Sequence, residues 1–178
     1  IHGMFIFAYP PPPDIKFDMP VKERVRYFRR FIRKARLDTI QVLLAIPLPG
    51  TELAKRLEKD GRIFSRDIIG WQYYDGNFPL FSPDPPLTPE ALLMAVRKIT
   101  GSFYRFKEIF VVGFHTVSFP VIIFWMHNIK SGWNRWYRQW RNSLRRFGGW
   151  LIFRHWLNEF KKNDFSHRLS KARKNSSD

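Results

Sequence analysis

Asp38-Thr-Ile-Gln-Val-Leu-Leu-Ala-Ile-Pro-Leu-Pro-Gly-Thr-Glu-Leu53 reads as a buried strand that turns directly into a helix, and that reading decides the fold. From Thr39 to Ile46 every residue except Thr39 and Gln41 is apolar, as expected of a strand covered on both faces in a parallel sheet. Pro47, Pro49 and Gly50 end the pairing. Thr51 then caps the helix that Glu52-Leu53-Ala54-Lys55-Arg56-Leu57-Glu58 begins. Strict alternation turns Ile40, Val42, Leu44 and Ile46 toward helices and leaves Gln41, Leu43 and Ala45 for the opposite layer or a barrel lumen. A buried Gln needs partners for its amide, either on neighbouring strands or on a ligand.

Upstream, Val21, Val25, Phe28, Ile32 and Ala35 recur at 4-3-4-3 spacing, which predicts an amphipathic helix from about Pro20 to Arg36 with Asp18 as its cap. Its other face carries Lys22, Arg26, Arg29, Arg30 and Arg33 and reads as solvated. Before it, Ile1 to Tyr9 reads as another strand, ended by the extended run Pro10 to Pro13. Two strands joined by such a helix fit a parallel crossover. The opening residues have neither an initiator Met nor the basic flank and cleavage site of a secretory signal, so the chain is expected to be the later part of a longer polypeptide.

Downstream, the helix after Thr51 stops at Asp60-Gly61. Trp71 to Phe81 is aromatic and broken by Gly76 and Pro79, which suggests a short third strand, or a strand pair turning at Asp75-Gly76. Thr88-Pro89-Glu90 is a complete helix start: a capping hydroxyl, a proline in the first turn and an acid that suits the dipole. The expected class is therefore α/β, a partial TIM-like barrel of C-terminal βα units followed by an all-α extension. A closed eight-stranded barrel takes about 250 residues. The missing strands are expected upstream of Ile1, or the sheet is open and completed by another segment.

The net charge of +16 is unevenly spread. Residues 1–104 hold 16 Lys/Arg against 11 Asp/Glu, and residues 105–178 hold 15 against 4. Such a basic half argues for a polyanionic neighbour. The chain has no cysteine, which removes disulfides, thiolate metal sites and a cysteine nucleophile, and is compatible with a cytoplasmic protein. No pair of carboxylates and no Ser/His/Asp set stands at a spacing that suggests hydrolytic chemistry.

Gly3-Met4-Phe5-Ile6-Phe7, the run from Ala35 through Pro47-Leu48-Pro49-Gly50-Thr51-Glu52-Leu53, Gly61-Arg62-Ile63-Phe64, Tyr74-Asp75-Gly76 and Pro85-Pro86-Leu87-Thr88-Pro89-Glu90 together resemble the radical S-adenosylmethionine (SAM) enzymes. The likeness is to the cobalamin-binding branch, and it covers residues 1–104, the rear of the catalytic barrel. It implies a parent enzyme that cleaves SAM reductively at a [4Fe-4S] cluster and modifies or methylates a hydrophobic substrate, with cobalamin as a further cofactor of the branch. The three clustered cysteines of the family are absent, so this chain alone is expected to be inactive. The resemblance puts Ala8, Tyr9, Gln41, Pro49, Gly50 and Thr51 along the SAM and substrate cavity. Read as residues alone, Pro49-Gly50-Thr51 is equally a turn and cap, since a helix N-terminus offers free amides to any anionic group. Asp75 reads as a turn residue, and His2 as incidental.

Residues 105–165 form the helical extension of this reading, and 166–178 a disordered tail. Ile109 to Met126 is 18 residues long and mostly apolar but interrupted by Gly113, His115, Thr116, Ser118 and Pro120. Because a span takes about 20 predominantly apolar residues, two short helices meeting near Pro120 are expected. His115 has no second ligand at metal spacing and reads as a packed polar residue. Trp133, Tyr137, Trp140, Leu144, Phe147 and Leu151 form a 4-3-4-3-4 stripe among Arg135, Arg138, Arg141, Arg145 and Arg146, with Gly148-Gly149 as a candidate kink. Indoles among cations suit the headgroup region of an anionic membrane. The same stripe would also pack on protein. Single-strand nucleic-acid binders usually expose their aromatics on a sheet or groove, so nucleic acid is the weaker reading. The expected partners are the upstream part of the same polypeptide and a membrane surface; the alternative function is a non-catalytic membrane- or partner-binding module.

Overall fold

The computed structural model describes residues 1–12, 15, 18–126 and 130–174. Thr39–Leu44 (β2) pairs in parallel with His2–Phe7 (β1), in register from His2 opposite Thr39 to Phe7 opposite Leu44. Val21–Lys34 (α1) makes the crossover. Ile40, Val42 and Leu44 are buried as expected, but Gln41, read as a buried amide on a strand covered on both faces, is exposed and Leu43 is half-buried. Val25 and Ile32 of α1 pack on that buried face with Phe7, and Phe28 meets the rings of Phe5 and Phe7 edge-on. Asp18 does not cap α1. Pro20 occupies the cap position, already at φ −58°, and no side-chain cap bond forms.

Pro89–Phe103 (α4) covers the rest of the same face. Thr88 accepts the Ala91 N–H at 3.2 Å, and Leu92, Ala95, Val96 and Ile99 then fall on the side that meets β2. Each fully buried aliphatic side chain of this core contributes about 1.5–3 kcal/mol relative to exposure. Between the strands and α4 lie Glu52–Lys59 (α2), the short Arg66–Ile69 (α3) and a 3-10 turn at Trp71–Tyr73.

The described residues overturn the partial barrel. The chain is mostly helical, and its sheet has two strands and is open. The expected third strand fails because Gly70 and Gly76 take positive φ, 92° and 83°, and wrap Trp71 to Phe78 into turns. The segment contributes one isolated antiparallel bridge, Ile63 with Phe81. The second edge of β2 is closed by other means: the Tyr104 hydroxyl donates to Ile40 O at 2.7 Å and accepts the Ile40 N–H at 2.9 Å, and the Leu44 N–H donates to Gly76 O at 2.7 Å.

Glu108–Met126 (α5) and Lys130–Lys162 (α6) pack together as a pair. Trp136 Nε1 donates to His115 O and Trp140 Nε1 to Thr116 Oγ1, both at 3.1 Å. The His115 ring pairs with Val111 O at 2.8 Å and Gln139 Oε1 at 3.2 Å, a polar residue satisfied within the helix pair, as read. One expectation fails here: α5 is one helix through Pro120 rather than two. α6 is a single helix across Gly148-Gly149. Gly149 has a packing role, because a Cβ there would overlap the Tyr104 ring.

Phe165–Lys174 (α7) is a helix where a disordered tail over 166–178 was expected; residues 175–178 lie outside the described residues. Phe165, Leu169 and Ala172 are buried against Phe64, Ile69, Tyr73, Phe78 and Leu80, which supplies the apolar contact that orders this basic segment. Tyr73 OH donates to Asp164, and Arg173 clasps the Glu90 carboxylate with two bonds of 2.8 and 3.1 Å.

Candidate functional site

Parallel strands end on the same side, so the turns after β1 and β2 open together, which is where ligands gather in open α/β sheets. Ala8 closes β1 at φ 55°, a left-handed backbone that redirects the chain into the proline run, and Tyr9 follows exposed. After β2, Gly50 takes φ 82° and Thr51 Oγ1 accepts the Ala54 N–H at 3.2 Å, so Pro49-Gly50-Thr51 is the turn and cap its sequence prescribes. Arg56 of α2 donates to Pro10 O at 3.0 Å and ties the two ends together.

The six candidate residues do not share one cavity. Ala8 and Tyr9 line an apolar cleft of about 440 Å³ with Phe7, Met19, Tyr27 and Phe28. Gln41 lines a different one, about 380 Å³, between β2 and α6, with Leu43, Asn77, Tyr104, Phe153 and Trp156. Pro49, Gly50 and Thr51 are exposed at the rim.

Gln41 stands on the uncovered face of the sheet, whereas the Ala8 and Tyr9 cleft opens beside α1. Met4 and Ile6 on β1 are 65% and 56% exposed, and Gln41 and Leu43 stand beside them as their register partners. Parallel sheets are almost always covered on both faces, because their connections place helices there. This one carries helices on one side and open apolar surface on the other. Periodicity alone could not reveal it, since a run that reads as doubly buried keeps the same spelling when its second cover is absent.

The spaced motifs turn out to form one packing unit. Gly76 lays its backbone on Leu43 and Ile46, and a Cβ there would stand 3.3 Å from Leu43. Arg62 binds Asp84 at 2.7 Å and Ser82 O at 2.9 Å, which joins Gly61-Arg62-Ile63 to the segment leading into Pro85-Pro86. Asp75 accepts the Asn77 N–H at 2.9 Å and its side-chain amide at 2.6 Å, an Asx turn, as its turn reading requires.

Tyr104 was missed by sequence reasoning. Burial pushes its hydroxyl pKa up against the opposing pull of the Ile40 hydrogen bond and Arg146. Its position at the end of α4 gives no sign of a bond to a strand 64 residues away.

Among the described residues no group of three His, Asp or Glu side chains is placed to hold a metal ion. With no cysteine in the chain, the residues present do not fit a [4Fe-4S] cluster. No helix among the described residues is long and apolar enough to cross a membrane. No protein family matches the chain, and no curated protein or solved structure is similar to it.

Proposed function

We propose that this chain is part of a radical SAM enzyme, and that the uncovered face of the β1–β2 sheet and the turns at its strand ends form one wall of a cavity for SAM and an apolar substrate. The observation that carries this reading is the open face itself: Met4, Ile6 and Leu43 offer apolar contact around the one exposed amide of β2, Gln41. Apolar walls with a few placed polar groups are the general form of small-molecule sites. The spaced motifs that carry the family resemblance support it further, because Gly76 of Tyr74-Asp75-Gly76 bonds the end of β2 at Leu44, and Arg62 ties Gly61-Arg62-Ile63 to Asp84 ahead of Pro85-Pro86.

In this reading the chain supplies binding and orientation only. Gln41 directs an amide at a polar group of the bound molecule, the apolar neighbours exclude water from it, and the α2 N-terminus beside Gly50 offers amides to a carboxylate. The reducing cluster, whose chemistry is the one-electron cleavage of SAM, belongs to residues outside this chain. Cobalamin is part of the proposal only through the branch resembled.

Reading the codons upstream of Ile1 tests this. A continuous frame that encodes three closely spaced cysteines is expected. A stop codon followed by a local start immediately before Ile1 would overturn the proposal and leave a non-catalytic binding module.

A further inference from the structure

Cations from both halves of the chain gather where α1, the α4–α5 connection and α6 meet. Arg33 in the last turn of α1, Arg36 just after it, Arg105 and Lys107 in the connection to α5, and Arg146 of α6 line one cleft of about 350 Å³. The single carboxylate of that cleft, Glu108, is buried. None of Arg33, Arg36, Arg105 and Lys107 forms an ion pair among the described residues. Arg146 spends one Nη on Leu37 O at 3.3 Å and faces the Phe103 ring, while its buried Nε has no partner.

Local electrostatics explain only part of this cluster. Arg33 lies in the last turn of α1, and Arg105 donates to Ser102 O at 2.7 Å near the end of α4, positions where a helix favours cations. Lys107 immediately precedes the N-terminus of α5, where a cation is disfavoured, and Arg36 holds a left-handed backbone at φ 49°. Five converging cations repel one another unless an anion joins them.

Between two of these cations stands exposed Phe106. From it an apolar stripe runs along α5 at helical spacing, with Phe110, Phe114 and Val117 at 68%, 72% and 79% exposed. From 105 to 158 the chain has nine Lys/Arg and one acid, a balance that favours a polyanionic neighbour, and the apolar stripe beside it adds what a nucleic-acid or acidic-protein surface would leave uncovered. Apolar side chains for the acyl boundary, next to unpaired cations for the headgroup phosphates, are the two requirements of an interfacial helix.

We propose that α5 lies in the surface of an anionic membrane, with the Phe106-Phe110-Phe114-Val117 stripe in the acyl boundary and a lipid phosphate held in the cleft by Arg33, Arg36, Arg105, Lys107 and Arg146. The occupant is a phospholipid headgroup. This proposal does not rest on the SAM reading, and its test needs neither SAM nor any upstream residue.

The experiment is co-sedimentation of the chain with phosphatidylcholine vesicles with and without phosphatidylglycerol, together with calorimetric titration by inorganic phosphate. Strong partition onto the anionic vesicles and little onto the zwitterionic ones is expected. A juxtamembrane cation contributes roughly a fivefold effect on partition, so the triple variant Arg33→Ser, Arg36→Asn, Lys107→Ser lowers it roughly 100-fold. All three side chains are outside the core, and circular dichroism checks that the variant is folded. Phe110→Ser with Phe114→Ser weakens partition while keeping the preference for anionic lipid. Equal partition onto both vesicle types, a triple variant that binds like the parent, or free phosphate bound as tightly as the vesicles would each overturn the assignment. Tighter capture by single-stranded nucleic acid than by anionic vesicles at the same salt would overturn it too.

Discussion

Replacing Tyr104 with Phe removes one oxygen atom and tests how β2 is held. That hydroxyl donates to Ile40 O and accepts the Ile40 N–H, and Ile40 is buried, so the substitution strands two main-chain groups at once. A buried polar group left without its partner costs about 1–3 kcal/mol. Two such groups would cost about 2–6 kcal/mol, and partial access of water from the neighbouring cleft of about 380 Å³ keeps the expected loss in the lower part of that range, about 2–4 kcal/mol. With a urea slope of roughly 2 kcal/mol/M for a chain of this size, the unfolding midpoint falls by about 1–2 M. Equilibrium urea unfolding followed by tryptophan fluorescence reads it. A change below about 0.5 kcal/mol, the ordinary size for a surface substitution, would refute the claim that a side-chain hydroxyl closes this strand edge. The pH dependence gives a second check. Burial raises the Tyr104 pKa above its ordinary value of 10.0, so its stabilising contribution is full below pH 10 and is lost as pH rises through the higher folded value. The Phe variant lacks that share of the alkaline loss.

Gly76→Ala forces a side chain onto φ 83° and to 3.3 Å from Leu43, and is expected to destabilise by about 1–3 kcal/mol in the same urea assay. Acid should release α7. Burial raises the Glu90 carboxyl, but the bonds from Arg173 and the backbone outweigh it, and the hydrogen bonds of Tyr73 and then Arg168 hold Asp164 low as well. The contribution of both is present above the unfolded carboxylate range and disappears as pH falls through their lower folded values, so the amide protection factors of residues 165–174, corrected for intrinsic exchange at each pH, should fall in acid. Glu90→Gln with Asp164→Asn should flatten that response. Arg97 lies 3.5 Å from the Phe160 ring centroid with its Nε and one Nη buried and unpartnered, so Arg97→Met should leave the melting temperature unchanged or raise it.

Local chemistry was the legible part of the sequence. Thr51 and Thr88 announce their caps by residue type and position, and the alternation of Ile40, Val42 and Leu44 fixes which face of β2 is buried. Long-range substitution was not legible. A tyrosine hydroxyl and a glycine carbonyl take places along β2 where the pattern called for a third strand, and neither residue is marked by periodicity. The order of α7 was hidden for a similar reason. Phe165, Leu169 and Ala172 are sparse among cations, and their partners Phe64, Tyr73 and Phe78 lie about a hundred residues earlier. At the candidate site, the Pro49-Gly50-Thr51 turn was readable in full. That Ala8 and Gln41 face separate clefts depends on where α1 and α6 pack, which no short motif records.

The proposal that this chain serves a radical SAM enzyme meets its most direct test in the complete reading frame, purified without oxygen, reconstituted with iron and sulfide and given SAM and a strong reductant. The product to measure is 5′-deoxyadenosine. The account predicts reductant-dependent formation, reduced when Gln41 is replaced by Ala in a protein whose fold is unchanged. A reconstituted full-length protein that holds no cluster and releases no 5′-deoxyadenosine would contradict it.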